Sequence, residues 1–117
     1  MVNKYKTKRK LKYRQTRKNQ KSILVGKIYA NWCGYCKTLK PIWDTLKTEA
    51  ALKKINFVEF EESEKEKLEE FKRKSIYHAK LNYAGYPTIF KFYNNKFSYY
   101  DGPQNKELIK KWILGKN

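Results

Sequence analysis

The chain is poor in the residues on which most metal and acid–base chemistry relies: its 117 residues include two cysteines, one histidine and one methionine. Tetrahedral zinc needs four ligands, and here there is no third cysteine and only His78, far from the pair. Zinc is therefore set aside, save for a site shared between molecules, and no metal or organic cofactor is expected. Residues 75–86 show no clear period, and His78 among them is given no role. No stretch approaches the roughly 20 consecutive apolar residues of a membrane span. The basic start is not followed by the apolar run of about 7 to 15 residues that marks a secretory signal. The final Leu114-Gly115-Lys116-Asn117 matches no retention or lipidation signal. With cysteines too few for stapling, the expected location is a reducing interior compartment, cytoplasmic or nuclear, with no membrane contact.

Acidic residues are also scarce: 11 against 28 Lys and Arg, for a formal charge of +17. The excess is concentrated in residues 1–21, which hold ten basic residues and no acid. This segment lacks apolar periodicity and repels itself, so disorder is expected for it in isolation, and residues 22–117 are expected to form one small domain. Within it, Lys8, Arg9, Lys10, Lys12, Arg14, Arg17 and Lys18 lie close to Tyr5 and Tyr13, a composition able to neutralise phosphates and stack on bases. Nucleic acid is thus a candidate partner, and a virus particle a candidate location. A solvated or targeting tail explains the same residues equally well.

Both cysteines lie in Trp32-Cys33-Gly34-Tyr35-Cys36-Lys37. Before them, residues 23–30 (ILVGKIYA) are short, branched and mostly apolar, as in a strand buried on both faces. After them, Leu39, Ile42, Trp43, Leu46 and Ala50 carry the spacing of one helix face, which predicts a helix over residues 36–52 kinked at Pro41. Cys33 then falls at the N-terminus of a helix. Unpaired backbone N–H groups there favour thiolate and can lower a thiol pKa from about 8.5 to roughly 3.5–7.5. Cys36, one turn on, is placed to attack a mixed disulfide formed at Cys33. A merely structural disulfide is a poor use of the pair, because so small a loop removes little unfolded-state entropy.

Further along, residues 55–60 read as a strand with Ile55, Phe57 and Glu59 on one face. Lys27 shares a face with Ile23, Val25 and Tyr29, so each of these two strands puts one charge among apolar neighbours and needs a partner for it. Ser63 and Glu66 have the spacing of a capping box for a helix over residues 64–74. The seven carboxylates from Glu59 to Glu70 read as a solvated helix surface. Gly85-Tyr86-Pro87-Thr88 leads into a strand at residues 89–93, Asn94-Asn95 form a hairpin turn, and residues 96–100 pair back. Residues 104–114 close the chain as a helix with Leu108, Ile109, Trp112 and Ile113 inward and Lys106, Lys110 and Lys111 in water.

Taken together, W-C-G-x-C-K at a strand–helix corner, the downstream G-Y-P-T and Tyr100-Asp101-Gly102-Pro103 resemble the thioredoxin superfamily, closest to a single domain of the protein disulfide isomerase type. The resemblance implies an α/β thioredoxin-like fold, a central mixed four-stranded sheet flanked by helices. The family's usual first strand and helix are either missing or supplied by the basic segment ordering on the domain. It implies a protein thiol–disulfide oxidoreductase, monomeric, acting on protein disulfide or dithiol substrates and exchanging electrons with an upstream thiol reductant or oxidant. In that family Cys33 would attack, Cys36 resolve, Trp32 flank the substrate groove with Tyr35 also expected to meet substrate, and Pro87 stand in cis opposite the cysteines, while the backbone of Tyr86 pairs with an extended substrate.

Three departures carry expectations of their own. Lys27 stands where the family has a buried acid and Glu59 where it has a lysine, so the ion pair is expected to be swapped across two strands, with Glu59 as proton acceptor for Cys36. Tyr35 replaces the proline or histidine common between the cysteines; adding no positive charge, it predicts a potential between those of reductants and isomerases. Gln104 stands where arginine is common. The rival reading is a basic nucleic-acid-binding or packaging protein that uses the same fold as a scaffold.

Overall fold

Strand β1, Leu24–Tyr29, lies inside the sheet with a neighbour on each side. In the computed structural model, which describes residues 22–74 and 81–115, it pairs in parallel with β2, Asn56–Glu61, and antiparallel with β3, Thr88–Tyr93. Burial on both faces explains why its sequence is almost continuously apolar. Strand β4, Lys96–Tyr99, adds antiparallel to β3 through a turn in which Asn94 and Asn95 have φ of 56° and 64°. Asparagine tolerates this left-handed geometry, which matches the twist of a two-residue hairpin. The order is β2-β1-β3-β4, the mixed four-stranded sheet expected from the sequence.

Among the described residues three helices cover the sheet: α1 at Gly34–Leu46, α2 at Lys65–Arg73 and α3 at Lys106–Ile113. Against one face, Leu39, Trp43 and Leu46 of α1 and Ile109 and Ile113 of α3 pack with Val25 and Ile89. Against the other, Leu68 and Phe71 of α2 join Ile28, Phe60 and Phe90. Glu49, just after α1, accepts from Lys106 at 2.8 Å and Lys110 at 3.0 Å and so ties α3 to α1. These two ammonium groups hold its carboxyl down at about 2.

Several expectations need correction. The first helix ends at Leu46, and residues 50–52 form a separate 3-10 turn, because the chain must reverse before β2. The capping box does not form: Ser63 gives its hydroxyl to Glu61, and α2 starts at Lys65 with no side-chain cap. In α3, Asn105 caps Leu108 N–H at 3.0 Å, Leu108 is 43% exposed, and Lys106 and Lys110 are drawn to Glu49 instead of into water. His78 and the basic residues proposed to meet nucleic acid lie outside the described residues.

One close approach fixes how the Phe90 ring packs over β1. A methyl group at Gly26 would lie 2.1 Å from Cζ of Phe90, whose ring crosses the strand there. Gly26→Ala therefore forces a fully buried ring to move, and we expect it to cost about 1–3 kcal/mol, read as a lower midpoint in urea unfolding.

Candidate active site

The corner between β1 and α1 brings both sulfurs together. Cys33 is the N-cap of α1, with extended backbone, and its Sγ accepts the Cys36 N–H at 3.3 Å, the role a serine or aspartate usually fills. Cys36 sits one turn in, buried, with its Sγ accepting from Ala30 N at 3.5 Å. Both are free thiols. The Cys33 thiol is held below its ordinary range by its hydrogen bond with Cys36, helped by the N–H groups of Cys36 and Tyr35. Burial pushes Cys36 the other way, up to about 11, and its bond to Cys33 adds to that. The two sulfurs are thus driven apart in acidity: one is ready to attack, the other holds its proton.

Across from them lies the loop before β3. The Cys33 thiol donates to the Tyr86 carbonyl at 3.6 Å, and the Tyr86–Pro87 peptide bond is cis. Trp32 meets the Tyr86 ring edge-on at 5.9 Å, while remaining 68% exposed; Tyr35 is 74% exposed. Exposed aromatics beside a reactive sulfur offer apolar area without charge. The expected groove residues Trp32, Tyr35, Tyr86 and Pro87 therefore all stand at one end of the sheet, around Cys33.

Behind Cys36 the two anticipated charges meet. Lys27 and Glu59 are register partners on β1 and β2, with Lys27 Nζ 3.4 Å from Glu59 Oε1. They line, with Cys36, a cavity of about 210 Å3. Lys27 is buried, and burial pushes its ammonium below the usual lysine range, partly offset by Glu59.

A capping thiol thus faces a loop carbonyl with a buried second thiol beneath it, and a model of the thioredoxin family matches residues 4–115 of the chain that builds this site. The chain belongs to the thioredoxin family. A Schizosaccharomyces pombe protein named a protein disulfide-isomerase is 32% identical over 92 residues, which cover 78% of this chain and 17% of that protein. A protein disulfide isomerase-like protein of Arabidopsis thaliana is 27% identical over 98 residues, 84% of this chain and 15% of the relative. The thioredoxin-family chain thus spans less than a fifth of these relatives. Among solved structures, the first thioredoxin domain of mouse protein disulfide-isomerase A4 superposes with a TM-score of 0.54 at 25% identity, covering 86% of this chain and 67% of that one. Fasciola hepatica thioredoxin gives 0.56 at 17% identity, with 89% of each chain covered.

The place of Glu61 beside this site, and the contact that Gln104 makes there, are not evident in the sequence. Glu61 ends β2 nearly buried; one oxygen accepts from Asn31 N at 3.0 Å and the other from Ser63 N at 2.9 Å and from the Ser63 hydroxyl. These bonds hold its carboxyl below the ordinary range, the Ser63 hydroxyl most of all. Gln104, where the resemblance called for arginine, donates from Nε2 to the Tyr35 carbonyl at 3.0 Å. It braces the first turn of α1 between the cysteines without adding charge. Glu61→Gln replaces one acceptor oxygen by a donor facing N–H, so it should loosen the Trp32 loop. We expect a lower urea midpoint together with slower disulfide reduction, whereas an unchanged rate would show that the loop does not depend on this clasp.

Proposed function

We propose that the chain is a protein thiol–disulfide oxidoreductase that works through Cys33 and Cys36. The observation that carries this reading is the Cys36 N–H to Cys33 Sγ bond at the start of α1, which keeps the inner sulfur within a turn of the outer one and, together with the stronger side-chain bond from Cys36, lowers the proton affinity of Cys33. The Cys33 thiolate attacks a substrate disulfide and a Cys33–substrate bond forms as the substrate's second sulfur leaves with the electron pair. Cys36 then attacks the Cys33 sulfur, closes the internal disulfide and releases the substrate thiolate, which takes a proton from water. Reversal of the same steps oxidises a dithiol. The substrate is a protein segment laid along the 86–88 loop, where the Tyr86 carbonyl that now accepts from Cys33 becomes available to a backbone N–H, as in strand addition. Aromatic walls at Trp32 and Tyr86 supply apolar contact with little demand on sequence.

Alkylation across pH tests the ordering of the sulfurs. Cys33 should react at a lower pH than an ordinary thiol, because its pKa is depressed, and Cys36 only in clearly alkaline solution, where a group near 11 begins to ionise. Cys36→Ser should trap the mixed disulfide, and Cys33→Ser should abolish insulin reduction; a Cys33 no faster than a free thiol would remove the basis for the assignment. Equilibration with glutathione checks the second expectation. With neutral Tyr35 between the cysteines and Lys37 as a nearby cation, the potential should fall between about −270 and −180 mV, the values typical of thioredoxin and of disulfide isomerase.

A further inference from the structure

Resolution of a mixed disulfide needs Cys36 as thiolate, yet the structure buries this sulfur, where charge is costly. Compensation has to come from the cavity behind it. There, Lys27 extends from β1 with 4% exposure, its Nζ 4.6 Å above the Tyr29 ring and 5.3 Å from that of Trp43. The Ala30 N–H bond fixes the Cys36 sulfur over the end of the same strand, three residues beyond Lys27. Glu59 is differently placed. Its side chain is 41% exposed, and its two oxygens face ammonium groups, Lys27 at 3.4 Å and Lys47 at 4.0 Å.

We propose that the buried Lys27 ammonium, and not the Glu59 carboxylate expected from the swapped pair, governs the ionisation of Cys36 and hence the pH at which mixed disulfides resolve. This rests on the oxidoreductase reading and specifies how its second step is driven. Lys27 is a positioning charge. The Cys36 thiol gives its proton to water through the cavity mouth, and the thiolate is held by the adjacent cation. The thiolate forms a bond to Cys33 as the Cys33–substrate bond breaks, and the electron pair leaves with the substrate sulfur. The field at Cys36 has the sign this assignment needs: burial and Cys33 raise its proton affinity, while the Ala30 N–H bond and then the Lys27 charge lower it. Lys27 itself faces Glu59 from β2, Asp44 and Lys40 from α1 and Tyr29 from its own strand; Glu59 and Asp44 favour its charged form, and burial and Lys40 oppose it. Lys37 and Lys40 line the same cavity from α1.

The test reads the ionisation of Cys36 directly, in the full chain carrying Cys33→Ser, by thiolate absorbance and alkylation rate against pH. Lys27→Met, close in size and apolar, should raise the Cys36 midpoint by about one pH unit or more, leaving about tenfold less thiolate at any pH below it. Glu59→Gln removes the anion that partly cancels Lys27, so it should lower the midpoint or leave it in place. A midpoint unmoved by Lys27→Met, or raised as much by Glu59→Gln as by Lys27→Met, overturns the proposal. Circular dichroism checks folding, and should Lys27→Met fail to fold, Lys27→Gln is read by the same criteria. No disulfide substrate enters this titration, so its failure is distinct from a failure to reduce insulin, which would instead remove the oxidoreductase reading.

Discussion

One backbone N–H pointed at one sulfur organises the functional end of this molecule. Cys33 caps α1 with its side chain, so the residue that would attack a disulfide is also the residue that starts the helix. Capping and activation draw on the same unpaired donors at the helix N-terminus. The remaining elements hold that corner in place. Strand β1 leads into it between two partner strands, Leu39, Trp43 and Leu46 anchor α1 on the sheet, and the loop before β3 closes the opposite side through the Tyr86 carbonyl.

The two sulfurs illustrate how environment separates identical side chains. Cys33 gains hydrogen bonds to its charged form, whereas Cys36 loses water and gains a neighbour that competes for its proton. In the proposed reaction this separation orders the chemistry: the outer sulfur would attack first, and the inner one would need help. That help has an unusual sign here, because the buried group on β1 is a cation. A cation stabilises a thiolate by field alone and needs no proton relay of its own.

Much of the fold was legible because the pattern and the special residues agreed. The branched run before Cys33, the helical spacing after it and the Asn94-Asn95 turn each have one natural geometry, and all three appear. Lys27 and Glu59 were legible for the opposite reason: each broke an apolar face, and two such faults on neighbouring strands in register cure one another. Glu61 was not, since an acid among seven reads as surface until the turn folds its carboxylate back on Asn31 and Ser63. Gln104 reaches Tyr35 across 69 residues of chain, a distance that no local pattern spans. Leu108 fits the inward stripe of α3 by spacing, but the helix sits so that Ile109 and Ile113 are buried, Trp112 packs partly buried against the same core and Leu108 stays exposed.

The Glu61 clasp has a mechanical side. One carboxylate joins the segment carrying Trp32 to the turn that launches α2, and Trp32 Nε1 reaches Glu62 at 3.4 Å beside it. The wall of the cleft is therefore coupled to a helix on the far face of the sheet. A tilt of α2 would travel along this linkage and alter the width of the opening at Cys33, so breathing at the back of the molecule becomes a change of aperture at the front.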